Sequence, residues 1–176
     1  MSSPPPAKPR GAPKDPALTF ERPLVTVDTA IFAVQAGALE VLLVRRPDDP
    51  GEPFPGLWAL PGGFVDTRRD RDLESCARRK LQEKTGVVSA YLEQLGSFGN
   101  ATRDPRGWSV TQVYFALLPQ RPDTLTPGGN ATESRWLELT TRAARLPLAF
   151  DHNALLDAVL ARLRAKVWAL RRDFSR

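Results

Sequence analysis

The segment Arg79–Val87 reads RKLQEKTGV, and three of its residues, Lys80, Glu83 and Lys84, stand at i, i+3 and i+4. On a helix that spacing gathers all three on one patch. A lysine ammonium has three donors and no acceptor, so neither lysine can ligate a metal. Mg²⁺ needs oxygen ligands in near-octahedral geometry. Two positive charges beside one negative suit an anion, such as a diphosphate, better than a cation. The bland alternative is a solvated amphipathic face. Against it, Lys80 and Lys84 repel each other by about 0.2–0.5 kcal/mol at i, i+4, a cost that a purely structural helix need not carry.

The surrounding elements must position that patch. Leu60-Pro61-Gly62-Gly63-Phe64-Val65 precedes the helix, Asp72 is placed to cap its first turn, and Gly86 can adopt the positive φ that ends it. Upstream, Leu24–Val34 is β-rich, Gln35-Ala36-Gly37-Ala38 forms a turn, and Leu39–Arg45 returns as a buried strand. A Pro-, Asp- and Gly-dense loop over 47–56 leads to a short strand at Trp58–Leu60. Strands are expected at Tyr91–Phe98, Ser109–Leu118 and Ser134–Leu139. The last helix starts at Asp151, an N-cap candidate. Its apolar stripe is Leu155, Leu156, Val159, Leu160, Leu163, Val167 and Leu170. That stripe is expected to pack on the sheet, through Leu156, Leu160, Leu163 and Val167, or on a second subunit. The order predicts an α/β sandwich around a mixed sheet.

The chain of 176 residues fits one domain plus tails. Residues 1–20 are Pro-rich and lack an apolar h-region, so they are expected to be a disordered tail rather than a signal peptide or anchor. No apolar run reaches bilayer-spanning length, and no membrane partner is expected. The lone Cys76 cannot form an intramolecular disulfide, which points to a reducing cytoplasm. Cys76 is expected to be a small buried residue. The lone His152 argues against a multi-histidine metal site and is assigned a local role near a helix start. The net charge is +5, and Arg162, Arg164, Lys166, Arg171, Arg172 and Arg176 against Asp173 account for all of it. The protein is a neutral body with one basic end, either a solvated helix face or a phosphate contact.

The 58–87 segment, WALPGGFVDTRRDRDLESCARRKLQEKTGV, resembles a Nudix box, G-x(5)-E-x(7)-R-E-U-x-E-E-x-G-U, with its metal ligands replaced. Arg79, Leu81, Gly86 and Val87 match. Lys80 and Lys84 stand on two ligand glutamates and Glu83 on a third. The upstream glutamate position falls on Arg71, behind a two-residue insertion in TRRDRD. Three negative charges have become one negative and two positive, a swing equal to the charge of two divalent ions. The loss removes the metal's ability to activate water.

GLWALPGGF, ARRKLQEKTGV, YLEQLGSFGNATRDPRGWSV and LPLAFDHNALLDAVLARLRAK, in that order, resemble the Nudix-related transcriptional regulators of NAD metabolism. The resemblance implies a Nudix-type α/β/α sandwich over 21–150 with a basic amphipathic helix, 151–176, packed on it. It implies ADP-ribose or a related nucleoside diphosphate as ligand. The implied contacts are Arg45 and Arg46 at a strand end, Gly62 and Gly63 where backbone approaches phosphate, Lys80 and Lys84, and Arg103 and Arg106. Arg45 and Arg46 have solvent as an alternative, and Arg103 and Arg106 a structural role through Asp104. Arg79, Leu81 and Gly86 are structural, with Arg79 orienting Glu83. Those regulators carry a C-terminal winged helix, for which VWALRRDFSR offers no room.

Three functions remain. The first is metal-independent binding of ADP-ribose-like ligands as a sensing module, with no cofactor and a homodimer expected. The second is an Mg-dependent hydrolase that assembles ligands from Glu83 and Glu133, with Glu93, Asp66 or Asp72. The third is a DNA-binding regulator acting through its basic end or a partner, with no sequence-specific DNA binding by this chain alone.

Overall fold

The computed structural model describes residues 22–88, 91–139 and 146–173. The expectation for residues 1–20 lies outside them. Strand β1 (Leu24–Gln35) is the spine of the domain, and every residue from Thr26 to Ala33 is buried. A strand reads as a continuous apolar run only when both its faces are covered. Here they are. Ala30 and Phe32 face one helix with Val41, Leu43, Val113 and Phe115, while Val27 and Ile31 face the other with Leu42, Tyr114 and Ala116.

Strand β2 (Ala38–Arg45) turns back antiparallel to β1 through Ala36 and Gly37, at φ 49° and 82°. Two consecutive positive φ values match the right-handed twist of the strands. Strands β3 (Trp58–Ala59) and β4 (Gly62–Phe64) flank Pro61 and pair with β2 and β1 respectively. Strand β5 (Glu93–Asn100) pairs antiparallel with β6 (Ser109–Leu118), which runs parallel to β1 over ten residues. Strand β7 (Glu133–Glu138) adds to the free side of β2. One parallel pair among antiparallel ones makes the predicted mixed sheet. The expected strand at Tyr91–Phe98 begins two residues later, and β4 is a strand the sequence reading did not name.

Helix α1 (Leu73–Thr85) covers one face with Cys76, Ala77 and Leu81. Asp72 caps it: its carboxylate accepts the Ser75 N–H at 2.7 Å, and Ser75 Oγ accepts the Asp72 N–H at 3.0 Å. Such a cap contributes about 1 kcal/mol. Gly86, at φ 75°, ends the helix as predicted. Helix α2 (His152–Asp173) covers the opposite face through Leu155, Leu156 and Val159, with Leu160 and Leu163 partly buried. Val167, expected to pack on the sheet, is 55 % exposed, because the helix has by then run past the edge of the core; Leu170 lies outside the described side chains. Of the described helices, none is long and apolar enough to cross a membrane.

Candidate functional site

One cleft of about 340 Å³ opens where the C-terminal end of β2, the β3–β4 turn, the last two turns of α1, the 103–106 loop and the start of α2 converge. Arg45, Arg46, Gly62, Gly63, Lys80, Lys84, Arg103 and Arg106, drawn from four separate stretches of sequence, all line it. Six of these are cationic. Four carboxylates, Asp28, Glu52, Glu83 and Asp104, share the walls. The excess is two positive charges, opposite to the pair of ionised oxygens on a nucleoside diphosphate ester.

The cations play different parts. Arg46 is largely buried; its Nε donates to Pro53 O at 2.8 Å, and it pairs with Glu52 at 2.9 Å. Arg106 is held by both oxygens of Asp104, at 2.9 and 2.8 Å. The Phe150 ring lies 5.0 Å from the Arg46 guanidinium and 5.8 Å from that of Arg106, which also sits 4.7 Å over Phe64. These cation–π contacts fix the two guanidinium planes. Phe150 itself is held at φ 56°, and Phe54, whose ring centre is 4.7 Å away, at φ 55°. Positive φ in bulky residues is uncommon and persists where the surroundings enforce it. Arg45 is exposed and donates to Gly56 O at 3.1 Å.

Arg103 lines the cleft and also serves the fold. Its side chain is 3 % exposed, and it donates to both oxygens of Asp151, at 3.0 and 2.9 Å, and to Ser109. With three of its five N–H donors committed, it ties the loop to the start of α2 under the cleft. The Asp151 carboxylate, expected as an N-cap, is taken up in this pair.

Beneath the cleft lies a buried cluster that sequence reasoning missed. Asp28 accepts the Thr111 hydroxyl at 2.7 Å, with Arg103 at 3.7 Å and His152 Nε2 at 3.6 Å. Burial raises the Asp28 carboxyl above its usual range, against the pull of His152, Thr111 and Arg103. Burial pushes His152 down. The Leu60 N–H donates to His152 Nδ1 at 2.9 Å, so this nitrogen is unprotonated. The role of His152 is therefore long-range, coupling the strand before the glycines to α2. A single Asp within the apolar LVTVDTAIFAV was the available signal, since a buried charge demands partners.

The glycines are required by space. A Cβ on Gly62 would lie 2.1 Å from Asp28 Oδ1 and 2.3 Å from Val27 O. Gly63 sits at φ 149°, and a Cβ there would meet Lys80 Cε at 3.2 Å. Lys80 thus lies across the glycine turn. Lys84 Nζ donates to Asn130 Oδ1. Burial, then the charges of Lys80 and Arg46, lower the Lys84 ammonium to about 8.

Glu83 lines the cleft, but Arg69 holds one oxygen at 2.8 Å and Arg79 the other at 3.0 Å. Arg79 does orient Glu83, and it is itself gripped by both oxygens of Asp70, at 2.6 Å each. Asp70, 1 % exposed, lies in the inserted segment, and the Arg79 guanidinium holds its carboxyl well below the usual range. No spacing rule flagged it. The other carboxylates named for a metal site do not converge. Glu133 pairs with Arg135, Glu93 with Lys166, Asp72 caps α1, and Asp66 accepts the Arg68 N–H. Among the described residues, no three of His, Cys, Asp and Glu stand close enough together to share an ion. Cys76 is buried, its thiol raised by burial to about 12.

The comparisons agree with this geometry. The chain is 50 % identical over 147 residues to the ADPR responsive transcriptional repressor NtrR of Acinetobacter baylyi, a match covering 84 % of this chain and 57 % of the repressor. It is 33 % identical over 118 residues to the ADP-ribose pyrophosphatase of Methanocaldococcus jannaschii, covering 66 % of this chain and 63 % of that enzyme. The chain therefore spans less than two thirds of either relative. Among solved structures, the NUDIX domain of Shewanella oneidensis NrtR complexed with ADP ribose superposes with a TM-score of 0.77 at 43 % identity, over 85 % of this chain and 93 % of that one. The NUDIX domain model matches residues 24–159, most of the chain, and the chain belongs to the Nudix family.

Proposed function

We propose that this domain binds ADP-ribose, or a closely related nucleoside diphosphate, without metal and acts as a sensing module of NAD metabolism with little or no hydrolysis. The observation that carries the reading is the cleft itself: Lys80 and Lys84 replace ligand carboxylates in a wall of fixed arginines. Arg46 and Arg106, braced by Glu52, Asp104 and Phe150, present planar donors to phosphate oxygens. Lys80 and Lys84 add two ammonium groups to the same wall. The solved relative with ADP ribose bound and the ADPR responsive repressor support the ligand assignment.

The hydrolase alternative rests on the pyrophosphatase relative and on Glu83 in the cleft. Hydrolysis by metal-activated water needs several carboxylates on one ion, and here Glu83 is committed to two arginines while Glu133 lies outside the lining. The described residues hold two helices, both packed on the sheet, and neither forms a helix-turn-helix. Sequence-specific binding of duplex DNA therefore has no reading element among them. Calorimetry with ADP-ribose in EDTA and in Mg²⁺, with product analysis of the same samples, tests the proposal. Equal affinity with intact ligand is expected. Turnover near about 10 s⁻¹ in Mg²⁺, or binding that requires the metal, would overturn it.

A further inference from the structure

Two polar side chains on the floor of the cleft are only half satisfied by the fold. Asp28, 5 % exposed, accepts the Thr111 hydroxyl on Oδ2, while its Oδ1 receives no hydrogen bond from any described residue. His152, 3 % exposed, accepts the Leu60 N–H on Nδ1, which places the imidazole proton on Nε2. Nε2 stands 3.6 Å from Asp28 Oδ1, too far for a hydrogen bond, and donates to no other described residue. Both residues line the cleft. A buried polar atom without a partner is costly, and here an acceptor and a donor stand side by side facing space that a ligand can enter.

We infer that Asp28 Oδ1 and His152 Nε2 form a sugar subsite that holds the neighbouring hydroxyls of the terminal ribose of a nucleoside diphosphate sugar. The subsite rests on the ADP-ribose reading of the same cleft and specifies which end of the ligand lies deepest. A hydroxyl both donates and accepts. One member of the cis pair donates to the carboxylate oxygen, and its neighbour accepts the imidazole N–H. A diphosphate ester does not suit this place, because its oxygens only accept and would face a carboxylate oxygen that has no proton to give them. The diphosphate belongs instead against Lys80, Lys84, Arg46 and Arg106, with the sugar reaching past it to the floor. Enclosure decides between the two riboses of such a ligand. Leu60 and Gly62, which adjoin the pair, are buried, whereas Arg45 and Phe64 elsewhere on the lining are exposed. The terminal ring ends in hydroxyls and fits a closed end, while the adenosine ring carries a base that must extend toward the open side.

Calorimetry of the full chain in EDTA compares ADP-ribose with two analogues of equal charge, one lacking the 2-hydroxyl of the terminal ribose and one lacking the 2-hydroxyl of the adenosine. A site built to hydrogen-bond a hydroxyl rejects the ligand that lacks it. The terminal deoxy analogue is expected to bind about tenfold or more weakly than ADP-ribose, and the adenosine deoxy analogue to stay close to ADP-ribose. His152→Asn keeps an acceptor for the Leu60 N–H but removes the Nε2 donor, and should shrink the preference for the terminal hydroxyl. His152→Gln restores a donor there and should recover part of that preference. A merely structural His152 would weaken all three ligands together and leave their ratios as in the parent. The subsite is overturned if the parent binds the terminal deoxy analogue as tightly as ADP-ribose, if the adenosine deoxy analogue is the one rejected, or if His152→Asn keeps the parent's ratio. The comparison of ligands on the parent needs no variant, so it decides even where a His152 variant fails to fold. Absence of binding by all three ligands in EDTA would instead overturn the ADP-ribose reading, and the subsite with it.

Discussion

Lys84 offers the most demanding test of the cleft. Its ammonium is held down to about 8 by burial and by the neighbouring charges of Lys80 and Arg46, so in the free protein half of it is neutral near that pH. A diphosphate beside it restores the charged form. Affinity should therefore be flat below pH 7 and fall as pH rises through 8. At pH 9 the free protein must gain a proton to bind, and affinity should be about tenfold lower than at pH 7, roughly 1.4 kcal/mol. Calorimetry at pH 9 in two buffers of different ionisation enthalpy should register uptake of close to one proton per ligand. Lys84→Met should bind about tenfold or more weakly at pH 7, for loss of a charge-assisted hydrogen bond, and should lose both the pH dependence and the proton uptake. The same variant bears on stability with the opposite sign. A lysine whose folded pKa lies below its unfolded value destabilises the fold at neutral pH, and that cost fades as pH rises from about 8 to the ordinary 10.5. The methionine variant should thus melt roughly 2–6 °C higher than the parent at pH 7, with the difference vanishing in alkali. If the parent binds equally at pH 7 and 9, or Lys84→Met retains the parent's pH profile, the charge of Lys84 is not engaged by the ligand and the assignment is wrong.

Restoring acids with Lys80→Glu and Lys84→Glu together should abolish ADP-ribose binding in EDTA, since carboxylates would then face phosphate; partial recovery in Mg²⁺ is the expected companion result by calorimetry. Asp70→Asn removes a bidentate contact of two 2.6 Å bonds from a largely buried arginine, and should cost about 3 kcal/mol or more in urea unfolding at pH 7. Because the Asp70 carboxyl is depressed when folded, its contribution is fully present above the ordinary value of 3.8 and is lost only as pH falls through the depressed folded value, so the gap between parent and variant should narrow only in strong acid. Gly62→Ala forces a methyl within 2.1 Å of Asp28 Oδ1; a loss of about 2–3 kcal/mol by urea unfolding is expected, whereas an unchanged midpoint would show that the β1–β4 approach is not tight.

Much of the architecture was legible because its signals are local. Helix α1 is bracketed by a cap at Asp72 and a glycine at Gly86, and both act within one turn of the residues they close. The unbroken apolar run of β1 announces a strand covered on both faces. The 80/83/84 spacing fixes which side chains share a helical patch, and the cleft shows the two lysines there. Charge chemistry, too, is a property of residue type: a lysine ammonium offers no lone pair to a metal. What the sequence could not contain is distance. That Arg103 spends two of its donors on Asp151, 48 residues away, follows only from the parallel register of β1 and β6 and the seat of α2. Asp70 became the partner of Arg79 because the inserted turn folds back onto the helix, which no spacing rule encodes. His152 reached Leu60 across 92 residues. The lowered pKa of Lys84 is likewise a tertiary fact: it depends on burial beneath the 129–131 loop and on the nearness of Arg46, neither of which is written next to residue 84. Sequence determined which groups were available and which turns would bring the chain back; packing of the two helices on one sheet decided which of those groups were spent on one another and which remain for a ligand.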